Sequence, residues 1–86
     1  MAELLPVTTA AADSADFTIS GTTTTLALNG TNRPFGTAMV QRKSSSGQYV
    51  TIGTLNDAQP AGVLAASGTY RVSKAGNTNA FGVDRD

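Results

Sequence analysis

Two close pairs of carboxylates, Asp13 with Asp16 and Asp84 with Asp86, are the first candidates for a catalytic or metal-binding site. Paired carboxylates can act as acid and base in glycoside hydrolysis, and they can also bind Ca²⁺. A general acid needs a raised pKa and therefore a desolvating pocket, but both pairs lie near a chain end among small or polar residues. The chain has no Asp-x-Asp-x-Asp-Gly loop of the calcium-binding kind. We therefore interpret both pairs as solvated surface residues or as contacts to another chain.

Other catalytic chemistry lacks its residues, because the chain contains no His and no Cys. A Ser-His-Asp triad, a Cys nucleophile and a histidine general base are therefore excluded. We expect no enzyme activity, no cofactor and no metal site.

The basic residues are spread along the chain and do not outnumber the acidic ones, since there are six of each. They are Arg33, Arg42, Lys43, Arg71, Lys74 and Arg85. A surface that binds nucleic acid or an anionic membrane needs clustered positive charge in excess over acid. We therefore expect neither partner, and we expect the basic side chains on solvated strand faces or in interchain ion pairs.

These side chains are expected on short strands. The clearest pair of strands is predicted in residues 36–55. They read as a β-hairpin in which Ser44–Gly47 forms the turn, and their flanks are rich in β-branched residues. Both faces of the hairpin contain apolar residues. This pattern leaves two interpretations open: one face is covered by a neighbouring subunit, or both faces are buried within the domain itself.

Alternating or brief apolar segments around the hairpin predict further short strands, near residues 17–20, 22–28, 63–66, 69–74 and 79–86. About seven strands separated by turn signals predict an all-β fold, a small antiparallel β-sandwich or flattened barrel. The predicted core consists of Phe17, Ile19, Leu26, Leu28, Val40, Val50, Ile52, Tyr70, Val72, Phe81 and Val83.

The first sixteen residues differ from the rest, so we divide the chain into an N-terminal arm, residues 1–16, and a β-sandwich domain, residues 17–86. The arm begins with an apolar tip and continues as a tract of small residues without an apolar face. Exposed aliphatic side chains ahead of such a tract favour docking against another surface. The predicted protein-interface residues are Leu4, Leu5, Pro6 and Val7. The alternative is that residues 3–8 form the first strand of the sandwich itself.

The chain has 86 residues, which suits one domain with a small margin of stability. It lacks an apolar stretch long enough for a membrane span and the basic start of a signal peptide, so we expect a soluble protein.

The order of these strands and turns resembles small β-sandwich virion proteins of tailed bacteriophages. The resemblance covers residues 22–86 and rests on the hairpin 36–55, the loop and strand that begin at Pro60, the strand Gly68-Thr-Tyr-Arg-Val72 and the terminal Gly82-Val-Asp84. In such proteins a strand ending in Gln or Glu and a basic residue leads into a Ser/Gly turn and an aromatic-Val strand. This chain has Tyr49 where Trp is usual.

The resemblance implies a structural role, the decoration or cementing of a capsid by binding the outer surface of its capsomers. It also implies the major capsid protein as partner, self-association with a trimer favoured, and a location on the virion capsid surface after synthesis in the host cytoplasm. Two alternatives remain open, a host-glycan-binding module and a head-tail or baseplate component.

Overall fold

The computed structural model describes residues 2–86 and shows a chain built of short strands. Residues that favour extended backbone alternate with turn residues along the chain, so that each strand ends within seven residues. The strands are β1 (Ala2–Thr8), β2 (Ala12–Asp13), β3 (Phe17–Ile19), β4 (Thr24–Asn29), β5 (Ala38–Lys43), β6 (Tyr49–Leu55), β7 (Ala61–Leu64), β8 (Gly68–Lys74) and β9 (Phe81–Arg85).

The nine strands form two antiparallel sheets. The four-stranded sheet has the order β1-β9-β4-β7, and the five-stranded sheet has the order β2-β8-β5-β6 with β3 also paired to β8. The all-β fold and the antiparallel sandwich are confirmed, with nine strands where about seven were expected. The predicted hairpin is β5 and β6, whose turn is closed by a hydrogen bond from the Gly47 amide to the Ser44 carbonyl, 2.9 Å.

The core lies between the sheets and contains nine of the eleven residues predicted for it. Those nine are Phe17, Ile19, Leu26, Leu28, Val40, Tyr70, Val72, Phe81 and Val83, and Leu5, Ala38 and Leu55 complete the cluster. Alternation along the strands places them inward, because successive side chains of a strand point to opposite faces.

Val50 and Ile52 were predicted in the core, and for these two residues the prediction is wrong. Their side chains are 54% and 50% exposed. Both lie on β6, which is the edge of its sheet and pairs only with β5 among the described residues. The pairing jumps from Val40–Gly53 to Gln41–Thr51, so Ile52 is the extra residue of a β-bulge. Position at an edge and the bulge therefore leave these side chains incompletely covered.

The structure corrects the expectation of a detached N-terminal arm, apart from Met1, which lies outside the described residues. Ala2–Thr8 forms β1 and pairs antiparallel with β9, with Leu5 opposite Val83. Leu5 is buried in the core. Gly82 permits the close approach, since a Cβ there would collide with the Leu5 carbonyl oxygen. Residues 12–13 of the small-residue tract form β2 on the other sheet.

Candidate functional site

On one side of the sandwich the gap between the two sheets is covered. We call it the closed side, and it consists of β1, β9 and the end of β8 that contains Lys74. Lys74 is buried, although the sequence predicted it on a solvated face or in an interchain ion pair. Its Nζ donates to the Thr8 carbonyl oxygen and to Thr8 Oγ1, each at 2.8 Å, and to the Phe81 carbonyl oxygen. The amine thus joins β8 of one sheet to β1 and β9 of the other.

The Lys74 amine has only neutral acceptors in these contacts. It also lies 4.8 Å from the centroid of the Phe81 ring, a distance suited to a cation–π contact. Burial lowers the pKa of Lys74, because removal from water disfavours the charged form. The carbonyl acceptors favour the ammonium, so the contacts offset part of the cost of desolvation. We interpret Lys74 as a structural link between the sheets and not as a nucleophile.

On the opposite side the gap between the sheets is less covered. We call it the open side, and it consists of the edge strands β6 and β7, on which Val50, Ile52 and Val63 are exposed. These three residues are the most exposed large hydrophobic side chains of the described part of the chain. Between β6 and β7 lies a groove of about 390 Å³. Ile52 and Val63 line its rim, and the core residues Leu26 and Val40 line it deeper in. Core side chains therefore form the floor of the groove, although they are themselves almost completely buried.

Local sequence explains the open side. β6 has no charged residue and no Pro, so its edge is entirely uncharged. Gly53 lies beside the bulge at Ile52, and nothing is within 4 Å of where its Cβ would be. β7 has only four residues and does not extend far enough to cover the longer β6.

The outer face of the five-stranded sheet has a polar cluster around Tyr49. The Tyr49 hydroxyl donates to Asp16 Oδ1 at 2.6 Å, and the Arg71 guanidinium stacks on the Tyr49 ring at 3.7 Å from its centroid. The bond to the Tyr49 hydroxyl, aided by nearby Lys43 and Arg71, holds the pKa of Asp16 below its ordinary value. The same bond raises the pKa of Tyr49, because the phenolate would lose it. Since Arg71 covers the ring, Tyr49 is not a free stacking platform.

A second polar contact fixes a loop at one end of the sandwich. Asp57 Oδ1 accepts hydrogen bonds from Arg33 Nε at 2.8 Å and from the Phe35 amide at 3.0 Å. These donors lower the pKa of Asp57, the Arg33 contact being the larger cause. The Phe35 ring packs beside Phe81, with the ring centroids 6.5 Å apart. Phe35 therefore belongs to the packing of the loop.

The two carboxylate pairs singled out in the sequence do not form shared sites. Asp13 accepts from the Ser73 hydroxyl at 2.5 Å, while Asp16 accepts from Tyr49. Asp86 accepts from the Thr25 amide at 2.8 Å, and Asp84 lies opposite Ala27 in the strand pairing. Each carboxylate thus has its own separate environment. Within residues 2–86 there is no group of three His, Cys, Asp or Glu residues able to hold a metal ion.

The predicted interface residues all lie on β1, in different environments. Leu5 is buried in the core and is not available for contact, which corrects its assignment. Leu4 is partly buried against the core, Pro6 is exposed and Val7 is 39% exposed. No contact of these three residues with another chain is tested, so their role in an interface stays a prediction. Among the described residues, no helix is long and apolar enough to cross a membrane.

Sequence reasoning missed two features of these surfaces. The burial of Lys74 does have a signal in the sequence, because Lys74 continues the alternation of Tyr70 and Val72, but its charge led us to predict it on the surface. The edge position of β6 has no comparable signal in the sequence, because it depends on which strand pairs with β5.

Comparison with known proteins shows a structural likeness to a prophage-derived protein. The crystal structure of the SPBc2 prophage-derived protein YomS matches this chain with a TM-score of 0.76 at 8% sequence identity, and the match covers 96% of this chain and 86% of that chain. At this identity the likeness shows the fold alone. No family model and no curated protein sequence matches the chain.

Proposed function

We propose that the protein is a non-enzymatic structural protein of a bacteriophage particle, which decorates or cements the capsid by binding the outer surface of its capsomers. The observation that most supports this proposal is the structural likeness to a prophage-derived protein over 96% of the chain. The resemblance of the strand order to small virion proteins points to the same class. The surfaces of the sandwich also suit binding better than catalysis, because the carboxylates lie apart and Lys74 is held by carbonyl groups.

The proposed partner is the major capsid protein, and the proposed contact is the exposed part of β1. Leu4, Pro6 and Val7 remain partly or fully accessible there, while Leu5 faces the core. Pro6 lacks an amide donor and so disfavours addition of a further strand at its position. The contact is therefore expected to involve apolar side chains more than backbone pairing.

The glycan-binding alternative has less support in the structure. Glycan sites of such modules need aromatic rings presented on loops, and Phe35 lies in the loop between β4 and β5. Phe35 is instead partly buried, packed beside Phe81 and covered by the Arg33 guanidinium at 5.3 Å from its centroid.

The test is the composition of purified particles of the phage that encodes this chain. Quantitative mass spectrometry is expected to find the protein in heads at a fixed ratio to the major capsid protein. A protein missing from particles would contradict the proposal, and one confined to purified tails would favour the head-tail or baseplate alternative.

A variant sharpens the assignment of the contact. Val7→Lys places a charge in the exposed part of β1. When added to capsids that lack the unmodified protein, this variant is expected to fold normally but to bind at fewer sites. Ala65→Lys is the control, because it adds the same charge at an exposed position between β7 and β8. Equal occupancy of both variants and the unmodified protein would contradict the β1 contact.

A further inference from the structure

The sandwich has four open strand edges, and three of them have features that hinder pairing with another chain. An exposed edge offers unpaired amide and carbonyl groups, and proteins protect such edges by short strands, charges, Pro or bulges. β1 contains Glu3 and Pro6 and has two irregularities in its pairing. β7 has four residues, and the edge formed by β2 and β3 consists of two and three residues.

The fourth edge, β6, is the least protected. It has seven residues, which extend over about 24 Å, and none is charged or Pro. The uncharged stretch continues on both sides, from Ser44 to Asn56. Val50 and Ile52 lie half exposed on this strand. Its one protective feature is the bulge at Ile52, and the side chain there remains at the rim of the groove.

We propose that β6 is the pairing edge for a second copy of this chain, with the two β6 strands antiparallel about a two-fold axis at Thr51. In this register Val50 of each copy lies beside Ile52 of the other, because the positions on either side of the axis exchange. The four aliphatic side chains then cover one another. Gly53 faces Tyr49 of the other copy and adds no side chain at the bulge.

The outer face of the sheet supports the same register. Arg71, Gln41 and Thr51 form a row across three strands, with Arg71 Nε donating to Gln41 Oε1 at 2.7 Å and Gln41 Nε2 donating to Thr51 Oγ1 at 3.3 Å. Two-fold pairing at Thr51 places the two rows end to end. The sheet would thus continue through the axis from five strands to ten, with like side chains meeting at its centre.

Charge and area favour a second copy over a charged partner and set the expected strength. Since residues 44–56 have no charge, two copies meet without repulsion along the strand. Two half-exposed aliphatic side chains per copy, Val50 and Ile52, represent far less than the roughly 800 Å² per partner of a standard stable interface. We therefore expect a reversible dimer whose population rises with concentration.

Two-fold pairing through β6 predicts a dimer, whereas the resemblance to virion proteins favoured a trimer. The inference does not depend on the proposed function, because it concerns the isolated protein alone.

Cysteine cross-linking of the full chain tests the register. The protein has no native Cys, so Thr51→Cys can form a disulfide only between copies. Directly opposite residues of an antiparallel pair lie about 4.5–5.5 Å apart at Cα, within the range of about 4.4–6.8 Å that a disulfide needs. Thr51→Cys is expected to give covalent dimer several-fold faster than Thr18→Cys, an exposed residue on β3 at the other edge. Equal rates for the two variants would overturn the register.

Sedimentation of the unmodified protein and of Ile52→Lys tests the interface itself. The unmodified protein is expected to shift from monomer to dimer across about 5–500 µM, with Ile52→Lys weakening association by about tenfold or more. Val7→Lys is the matched control on β1 and is expected to dimerise normally. A monomer throughout this range, a trimer, or a dimer unaffected by Ile52→Lys would each overturn the proposal. Circular dichroism of every variant establishes that it is folded.

Discussion

The closed and the open side of the sandwich differ in how completely the gap between the two sheets is covered. On the closed side, Leu5 fills the gap between the sheets and Lys74 bonds to both β1 and β9. On the open side, Val50, Ile52 and Val63 remain exposed and a groove reaches the core residues Leu26 and Val40. The buried Lys74 amine thus lies where the sheets are covered, and aliphatic surface remains where they are not.

Exposure on the open side is not a general weakness of a small sandwich. The chain can cover one side with a seven-residue strand, and it does so with β1. A pairing edge that is uncharged and apolar is a liability unless another surface covers it. Stability should therefore depend on the closed side, and pairing of two copies of the chain on the open side.

Deletion of residues 1–12 should have the largest effect. It removes β1 together with Leu5 and the Thr8 acceptors of Lys74, so we expect the protein to lose its cooperative thermal transition in circular dichroism. A detached arm would instead leave the transition unchanged. Val63→Ala, on the open side, is the control and should melt as the unmodified protein does.

Lys74→Ala should rank next, because it leaves the Thr8 and Phe81 carbonyl groups without their donor and removes a buried stem. We expect a loss of about 2–4 kcal/mol in the free energy of unfolding, measured by urea denaturation. Lys43→Ala is the matched control on the surface and should cost within about 1 kcal/mol. Similar losses for the two variants would contradict the structural role of Lys74.

A matched pair of valines compares the core with the open side directly. Val72 is fully buried, and Val72→Ala is expected to cost about 1–3 kcal/mol in unfolding free energy. Val50 is 54% exposed, and Val50→Ala should change it by within about 0.5 kcal/mol when the protein is monomeric. A larger loss for Val50→Ala in dilute solution would mean that the open side is part of the core.

Acid should produce the smallest of these effects. The Asp16 and Asp57 carboxyl groups have a pKa below the ordinary 3.8, so they bind protons more weakly in the folded state than in the unfolded chain. Their stabilising contribution is complete above that value and is lost as pH falls through the lowered pKa. The melting temperature should therefore fall below about pH 4, and less steeply for Asp16→Asn. Parallel pH profiles for the two proteins would contradict a folded-state role for the bond between Tyr49 and Asp16.

Alternation within strands predicted much of the fold. Tyr70 and Val72 were placed inward from their spacing alone, and the turn at Ser44–Gly47 from its residue types; the structure confirms both. The same spacing places Lys74 inward, but its charge led to the opposite prediction. Spacing was the better guide here, because neutral carbonyl groups satisfy the buried amine.

The errors concern which strand is an edge and which strands pair. Val50 and Ile52 have the residue types of core positions, but the strand order leaves β6 with one neighbour. Pro6 is unsuited to a central strand because it lacks an amide donor, but it is compatible with an edge strand, which β1 is. Pairing between residues about eighty positions apart, such as Ala2 with Arg85, has no local signal in the sequence.

That long-range pairing has a consequence for synthesis of the protein on the ribosome. β1 is made before the other strands of the sandwich, and its partner strand, β9, is made after them. Until β9 leaves the exit tunnel, Leu5 has no strand to hold it against the core, and the Lys74 amine lacks its acceptor on Phe81. We therefore expect the nascent chain to remain open and sensitive to protease until β9 has emerged, and then to close in a single late step.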